Sequence, residues 1–278
     1  MSGRPTVGWL QGGRLHLQHG PIDLILTVEG PGRTQALQAA QDRFETVLDV
    51  LVTELDHLTV SYAGHRFQGP IAQRMAKAVA PLAQDHFVTP MAAVAGAVAD
   101  EVLAAMRPHD LNKTIVNNGG DVAFHLTDDQ EFTSFSPIGS VVVPADSPVR
   151  GIATSGWRGR SQSRGIADAV TVLADTAARA DAAATLIANA VDLPDHPAIT
   201  RVKAQAVEAI PQLGARSVTS AVGALGASDR ADALDAGQRY AASLVANGLI
   251  AGAALLLQGE TRVTGWSGIA TRPVPDLS

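Results

Sequence analysis

The sequence predicts an α+β fold in which helices pack on antiparallel sheets. Strand-like and helical segments alternate irregularly along the 278 residues, and short glycine-containing turns join several of the strands as hairpins. The composition is that of a globular protein, with 46% hydrophobic and 17% charged residues. Because only 4% of the residues are aromatic, alanine, valine, leucine and isoleucine must build the core. We expect a single domain over residues 1–278.

Helices are predicted from the spacing of apolar residues. Gln35–Leu58 carries apolar residues at helical spacing, which predicts one long amphipathic helix. A second helix is expected over about Pro70–Ala83, and Thr89–Pro108 predicts a helix of small residues that ends at a proline. Gly96 and the alanines of this helix allow another backbone or a ligand to approach closely.

The second half of the chain predicts further strands and two helices. Strands are expected in Thr114–Leu126, in "SVVVP", and on both sides of the loop in "GIATSGWRGRSQSRGIADAVTVLAD". "DTAARADAAATLIANAVD" predicts a helix with Asp175 as its N-cap. A helix over about Ala231–Ala246, followed by Gly248, precedes a closing hairpin that turns at Gly259.

Charge and cysteine content exclude several classes of function. A net charge of -6 does not favour nucleic acid as a partner. The absence of cysteine excludes disulfides, a cysteine nucleophile and cysteine-ligated clusters, so any iron–sulfur cluster would belong to a partner protein. The first residues show no apolar run of signal-peptide length, and Leu249–Gly259 is too short to span a bilayer. We therefore expect a cytoplasmic protein with no membrane segment.

Two glycine-containing segments are candidates for ligand binding. "VNNGGDVAFHL" brings Asn117, Asn118 and Asp121 to a Gly-Gly turn, which fits either a backbone cradle for a ligand or a turn satisfied by its own side chains. "ATSGWRGRSQSRG" combines backbone N–H groups with arginines, and fits either an anion site or a solvated loop. The arginines of this loop are Arg158, Arg160 and Arg164.

A third candidate lies on the alanine-rich helix. Asp181, Thr185 and Asn189 follow at intervals of four and therefore share one helix face. A carboxylate and a hydroxyl one turn apart suit a hard cation such as Mg²⁺, whereas the alternative is a solvent-facing polar stripe. His86 is a weaker candidate, because the histidines show no metal-binding spacing.

Taken in order, these segments resemble a known superfamily. "AGAVADEVLAAM", "TIVNNGGDVAFHL", "GIATSG" and "AVTVLADTAARADAAATLIANAV" are similar to the ApbE superfamily, whose members use FAD to attach FMN to a protein threonine. The strings "NNGGD", "ATSG" and "GIADAVTVLA" resemble most the UPF0280 branch of ApbE-like proteins. The resemblance covers about Pro90–Leu193, the part of the chain that carries the motifs, and implies an ApbE or T-fold type of α+β structure.

The resemblance also implies a set of site residues. Asp181 and Thr185, with a backbone carbonyl near Ala97, would hold Mg²⁺ against the diphosphate of FAD, and Asp181 would be the catalytic metal ligand. The turn around Asn118 and Asp121 would lie along the flavin nucleotide. With Arg158 added from the possible anion site in the arginine loop, the complete set of candidate cofactor-binding residues is Asn118, Gly119, Gly120, Asp121, Thr154, Ser155, Gly156 and Arg158.

The sequence departs from the superfamily at two places. The transferases carry "His-x-x-Asp-Pro-x-x-Gly" where this chain has "WRGRSQSRGIADA", and their lysine in "Gly-x-x-x-Lys-Gly" is Asp100 here, which reverses the charge.

Three hypotheses therefore stand. The first is an ApbE-like protein with a cleft for a flavin nucleotide (FAD or FMN) or a similar anionic ligand, with or without Mg²⁺-assisted FMN transfer. The second is a non-transferase accessory subunit of a redox or iron–sulfur system, and the third is an enzyme acting on a small heterocyclic acid. The alanine-rich face of Ala177–Ala190 fits a homodimer surface as well as a cleft wall.

Overall fold

The chain divides into two compact units that interleave along the sequence. The computed structural model describes residues 4–136, 139–159, 162–206, 213, 215–266 and 270–272. The first unit comprises Met1–Phe132, Val143–Ala153 and Ala174–Asp181, and the second comprises Thr133–Val142, Thr154–Leu173 and Ala182–Ser278. The expectation of one ApbE-like domain over 1–278 stays a prediction.

The first unit is built on an antiparallel sheet. Its strands are β1 (Thr6–Leu10), β2 (Arg14–His19), β3 (Ile22–Glu29), β4 (Lys113–Asn118) and β5 (Asp121–Leu126), which pair in that order. The start of β8 (Gly151–Ser155) extends this sheet, because Gly151 and Ile152 pair with β5. Alternate residues of β2 and β3 are buried, which is the period-2 pattern of a sheet with one covered face.

Helices cover the sheet of the first unit. They are α1 (Arg33–Phe44), α2 (Val47–Thr53), α3 (Leu55–Leu58), α4 (Pro70–Val79) and α5 (Val94–Met106). α5 packs on β4 and β5 and against α1 and α4. Glu101 on α5 ties these helices together, since its carboxylate accepts hydrogen bonds from Arg43 Nε of α1 at 2.9 Å and from Arg74 Nε of α4 at 2.8 Å.

The prediction of one long helix over Gln35–Leu58 is wrong, because three helices occupy this range. The first break is at Thr46, whose hydroxyl donates to the carbonyl of Arg43 at 3.1 Å and competes with the helical hydrogen bond. The second break is at Glu54, where φ is -117°. The carboxylate of Glu54 turns away to accept the N–H of Gly69 at 2.8 Å, at the start of α4. Apolar spacing alone could not reveal this distant partner.

Most of the remaining strands belong to the second unit, together with helix α7 (Ala227–Ala246). β9 (Ala169–Ala174), β12 (Gly252–Leu257) and β13 (Glu260–Gly265) pair antiparallel in the order β9-β12-β13, and α7 packs on β12 and β13. β10 (Ile199–Lys203) pairs with β11 (Ser217–Val222), and β7 (Gly139–Pro144) lies between β6 (Glu131–Ser136) and β14 (Ala270–Arg272). The closing hairpin turns at Gly259, as the sequence predicts.

The chain passes from the first unit to the second along helix α6 (Ala177–Ala190). Asp175 is predicted as its N-cap, but the side chain of Asp175 instead pairs with Arg179 at 2.8 Å. Thr176 occupies the cap position, where its Oγ1 accepts the N–H of Arg179 at 3.3 Å. The observed helices and antiparallel strands confirm the α+β prediction. Among the residues that the structure describes, no helix combines the length and apolarity needed to cross a membrane.

Candidate functional site

The Gly-Gly segment forms a tight hairpin between β4 and β5. Asn118 pairs with Asp121 across a two-residue turn, and Gly119 and Gly120 have φ values of +65° and +118°. Positive φ at both central residues explains why both are glycine. Asn117 Oδ1 accepts the N–H of Gly120 at 2.8 Å, so the turn is satisfied locally. A Cβ on Gly120 would meet nothing within 4 Å, so the hairpin tip also has an open side.

Asn118 fixes this hairpin to the beginning of α5. Its side chain is buried, and Nδ2 donates to the carbonyl of Ala95 at 3.0 Å. The next residue of α5, Gly96, donates its N–H to Asp181 Oδ2 on α6 at 3.0 Å. The hairpin, the start of α5 and the first half of α6 therefore meet within the first unit.

Asp181 and Asp121 form the acid pair of this site. The pKa of the Asp181 carboxyl is raised well above its usual range, first by burial and then by the negative charge of Asp121. The N–H groups of Gly96 and Ala95 oppose this rise by donating to the charged form. Two carboxylates that share a poorly solvated place resist ionising together, so a bound cation would relieve their repulsion.

Gly96 determines how closely α5 approaches α6. A Cβ at this position would lie 2.2 Å from the carbonyl oxygen of Ala177, which no real side chain could do without moving a helix. The sequence indicated that Gly96 allows close approach, and the structure identifies α6 as its neighbour. Because the N–H of Gly96 contacts Asp181, the same close approach places the acid pair.

Asp100 has a structural role that the sequence did not reveal. It is buried, and its two carboxylate oxygens accept the N–H groups of Ala177 at 3.1 Å and Ala178 at 2.9 Å. Burial raises the pKa of Asp100 to about 6, while these two hydrogen bonds act to lower it. Asp100 thus caps the N-terminus of α6, where its charge meets the positive end of the helix dipole.

The remaining metal candidates lie on α5 and α6. Ala97 is fully buried inside α5, whereas the groups that meet the hairpin and Asp181 are the carbonyl of Ala95 and the N–H of Gly96. Thr185 lies one turn beyond Asp181 on α6 and is half-buried. Within the described ranges, no group of three or more histidine, aspartate or glutamate side chains could hold a metal ion. A Mg²⁺ ion needs only one or two carboxylates when phosphate and water complete its shell.

The Thr-Ser-Gly turn belongs to the second unit. Thr154 Oγ1 lies 2.9 Å from Thr171 Oγ1, and Ser155 is half-buried. A Cβ on Gly156 would lie 2.5 Å from the carbonyl oxygen of Asp168. Gly156 is therefore explained by tight packing on the neighbouring backbone.

Contacts within the second unit hold the arginine loop in place. Arg158 Nε donates to Asp168 Oδ1 at 2.8 Å, and its guanidinium lies 4.8 Å from the centre of the Trp157 ring. Asn189, the third polar residue of the α6 face, accepts the N–H of Arg164 at 2.8 Å. Arg160 lies outside the described residues. Because the carboxylate of Asp168 neutralises the charge of Arg158, this arginine is less suited to bind an anion.

The two histidines near the candidate segments differ in environment. His86 is exposed. His125 is half-buried, and burial together with the charges of Arg107 and Arg150 lowers its pKa. Neither belongs to the set of contacts that places the acid pair.

Comparison with known proteins identifies the family. A family profile described as AbpE bacteria matches residues 7–263, which is most of the chain. The chain belongs to this family. Curated relatives are UPF0280 proteins: the chain is 39% identical over 129 residues to one from Methanopyrus kandleri, covering 42% of this chain and 49% of the relative. A UPF0280 protein from Methanothermobacter thermautotrophicus is 37% identical over 153 residues, covering 52% of this chain and 55% of the relative.

The predicted resemblance to UPF0280 and ApbE-like proteins is thus confirmed, and the alignments span about half the length of these relatives. Among solved structures, the chain is similar to the Pseudomonas stutzeri flavinyl transferase ApbE, with a TM-score of 0.45, 12% identity and coverage of 94% of this chain and 95% of that one. A variant of the flavin transferase ApbE from Vibrio cholerae gives a TM-score of 0.46 and 11% identity, with 94% and 96% coverage.

Proposed function

We propose that this member of the AbpE bacteria family binds a flavin nucleotide, FAD or FMN, together with Mg²⁺ at the acid pair. The observation that carries the proposal is the meeting of the glycine hairpin, the start of α5 and Asp181, where Asp181 Oδ2 accepts the N–H of Gly96 and Asn118 Nδ2 donates to the carbonyl of Ala95, each at 3.0 Å. The raised pKa of Asp181, caused by burial and by Asp121 beside the hairpin, supports it. Two neighbouring carboxylates with restricted access to water leave the site short of positive charge, and Mg²⁺ favours oxygen ligands of this kind. The names of the ApbE flavin transferases suggest a flavin as the ligand.

Each part of the site has a distinct task in this proposal. Asp181 and Asp121 would hold the cation, and Thr185, on the same face of α6 as Asp181, would supply a further oxygen. The open side of the hairpin at Gly120 admits the nucleotide, and the hydrogen bond from Asn118 to Ala95 keeps the hairpin in position. Mg²⁺, when bound, would offset the charge of the diphosphate, which the two carboxylates would otherwise repel.

Transfer of FMN is the finer activity proposed for the same site. The hydroxyl oxygen of an acceptor threonine would form a bond to the phosphorus on the riboflavin side of FAD, the bond to the bridging diphosphate oxygen would break, and AMP would leave. The hydroxyl proton would pass to a carboxylate of the acid pair or to water. The acceptor protein and its threonine are supplied from outside this chain.

A second candidate is binding without transfer, as an accessory subunit of a redox or iron–sulfur system. Two observations favour it. Asp100, at the position of the superfamily lysine, is committed to capping α6, and Arg158 is committed to Asp168. The guanidinium of Arg158 is then not free to attract a phosphate, and the carboxylate of Asp100 would repel one.

Two titrations of the protein with FAD, one in the presence of Mg²⁺ and one in excess EDTA, test the binding proposal. Flavin fluorescence should report binding that requires Mg²⁺. Asp181→Asn should weaken it by roughly ten- to a hundred-fold, since a charge-assisted contact contributes about 1.5 to 3 kcal/mol. Asp175→Asn is the matched control, because Asp175 is half-exposed and pairs with Arg179 just before the same helix. Absence of FAD binding under both conditions would reject the proposal.

A second experiment separates transfer from simple binding. The protein is incubated with FAD, Mg²⁺ and candidate acceptor proteins that carry an exposed threonine, and covalent flavin is detected by fluorescence after denaturing electrophoresis. Labelling that disappears in Asp181→Asn would establish the transferase activity. Intact FAD binding with no labelling, and co-purification with a redox protein, would favour the accessory role.

A further inference from the structure

Strand β1 forms an edge of the sheet in the first unit. Within the part of the chain that the structure describes, β1 pairs with β2 alone, so one side of its backbone faces no other strand. Its sequence, TVGWL, holds none of the charged residues or prolines that often protect an edge strand. The backbone N–H and C=O groups of such an edge can pair with a strand from outside the chain.

Two large apolar side chains of β1 are exposed on the face of the sheet that α1 covers. Val7 pairs across the sheet with Leu17, which is fully buried. Trp9 pairs in the same way with the fully buried Leu15, so Val7 and Trp9 also lie on the covered face. Trp9 is nevertheless 60% exposed and Val7 48% exposed, because α1 packs on β2 and β3 and leaves the edge uncovered. A further strand beside β1 would bring side chains over this apolar strip.

The charges beside β1 differ between its two ends. At the Trp9 end, the guanidinium of Arg33, the first residue of α1, lies 5.8 Å from the centre of the Trp9 ring. At the Val7 end, three carboxylates and one guanidinium line the same surface hollow as Val7, and they belong to Asp42, Glu45, Asp49 and Arg4. The edge is therefore basic at the Trp9 end and, on balance, acidic at the Val7 end.

The alanine-rich face of α6, in contrast, is not available to a second copy of the chain. Every alanine of this helix except Ala190 is buried within the chain itself. This face therefore fits a packed interior, and a dimer surface has to lie elsewhere.

We propose that β1 pairs with β1 of a second copy of this chain, antiparallel about a twofold axis at Gly8, the central residue of the strand. This register places Val7 opposite Trp9 of the other copy, on the face of the sheet that both share, and an aromatic side chain opposite a β-branched one favours strand pairing. The twofold rotation also brings the basic end of each edge to the acidic end of the other, so the charges attract. This self-complementarity favours a second copy as the occupant. The dimer does not depend on the proposed flavin binding.

Sedimentation equilibrium of the full chain tests whether the dimer forms. Between about 1 μM and about 200 μM it should show a monomer–dimer equilibrium, as expected of a small interface. Trp9→Glu should raise the dissociation constant of the dimer by at least about tenfold, because both copies lose the pair of Trp9 with Val7. Val52→Glu is the matched control, since Val52 is 56% exposed on α2, outside β1, and should leave the dimer unchanged. Melting followed by circular dichroism checks that each variant folds.

Disulfide crosslinking tests the register. The chain has no cysteine, so a single introduced cysteine can pair only with the same residue of another copy. Gly8→Cys would place the two Cα atoms about 4.5 to 5.5 Å apart across the axis, which suits a disulfide. A Cβ at Gly8 meets nothing within 4 Å, so the variant should fold normally. Under mild oxidation Gly8→Cys should run as a covalent dimer, whereas Val52→Cys should remain a monomer.

A charge reversal tests the complementarity of the two ends. Glu45→Lys should weaken the dimer about threefold, because it places a lysine near Arg33 of the other copy. Asp56→Lys makes the same change of net charge at an exposed residue of α3 and should have no effect. A monomer at every concentration, an unchanged dimer in Trp9→Glu, equal effects of the two lysine variants, or no selective crosslinking at position 8 would overturn the proposal.

Discussion

Asp100→Asn removes a buried negative charge from the junction of α5 and α6. Burial raises the pKa of Asp100 from its ordinary 3.8 to about 6, and the hydrogen bonds from Ala178 and Ala177 only partly oppose it. The folded protein therefore binds the proton of Asp100 more tightly than the unfolded chain does. The stability that this preference contributes is fully present below the unfolded-state pKa and is lost as the pH rises through about 6. A pKa that is about two units higher in the folded protein than in the unfolded chain corresponds to a change of about 3 kcal/mol in the free energy of unfolding.

The assay is urea unfolding of the wild type and of Asp100→Asn at a series of pH values. Comparing the two at each pH cancels the titration of groups that they share. Between about pH 4 and about pH 8, we expect the free energy of unfolding of the wild type to fall by about 2 to 3 kcal/mol relative to that of the variant. The asparagine retains one acceptor oxygen for the two N–H groups, which adds a constant cost of about 1 kcal/mol at every pH.

Asp175→Asn controls for a general change of charge at the same end of α6. Its side chain is half-exposed, so it should leave the pH dependence of unfolding close to that of the wild type. The burial argument for Asp100 is refuted if the difference in free energy of unfolding between the wild type and Asp100→Asn does not change with pH. It is also refuted if the wild type gains stability relative to the variant as the pH rises.

Two further predictions concern packing. Glu101→Gln should lower the free energy of unfolding by about 3 kcal/mol at neutral pH, because it leaves two partly buried arginines without their shared carboxylate; a loss in urea unfolding below about 1 kcal/mol would contradict this. Gly165→Ala should lower the melting temperature more than Gly120→Ala does. A Cβ at Gly165 would lie 2.0 Å from the carbonyl oxygen of Ala188, whereas at Gly120 it meets open space and only the positive φ is strained; equal melting temperatures would show that the backbone yields.

Local patterns predicted local structure well in this chain. The Gly-Gly pair predicted the turn between β4 and β5, Gly259 predicted the last hairpin, and the alanine-rich segment predicted α6. Each of these signals lies within a few residues of the structure it specifies, and positive φ at a hairpin turn is a requirement that few residues other than glycine meet.

The predictions that failed depended on distant partners. Glu54 interrupts the long predicted helix because its carboxylate binds the start of α4, fifteen residues away at Gly69. Asp175 is beside α6 but does not cap it, since Thr176 and the distant Asp100 provide the oxygens. Periodicity describes which face a helix buries, but it carries no information about which remote side chain will meet a helix end.

In the candidate site too, local spacing predicted some features, while others depend on contacts between distant residues. The i, i+4, i+8 spacing placed Asp181, Thr185 and Asn189 on one face, yet Asn189 is taken up by the backbone of Arg164. Resemblance to a family singled out Asp181, and the structure added Asp121 as the neighbour that raises its pKa. The bonds from Gly96 and Asn118 that position this pair join residues more than twenty positions apart, beyond the reach of any local spacing rule.

The close approach at Gly96 has a consequence for mutational screens. This residue has no side chain to touch a nucleotide, yet any replacement would push α6 away and carry the carboxylate of Asp181 with it. A search for variants that fail to bind ligand should therefore return position 96 beside position 181. Its hits would trace where two helices cross as well as where a ligand sits.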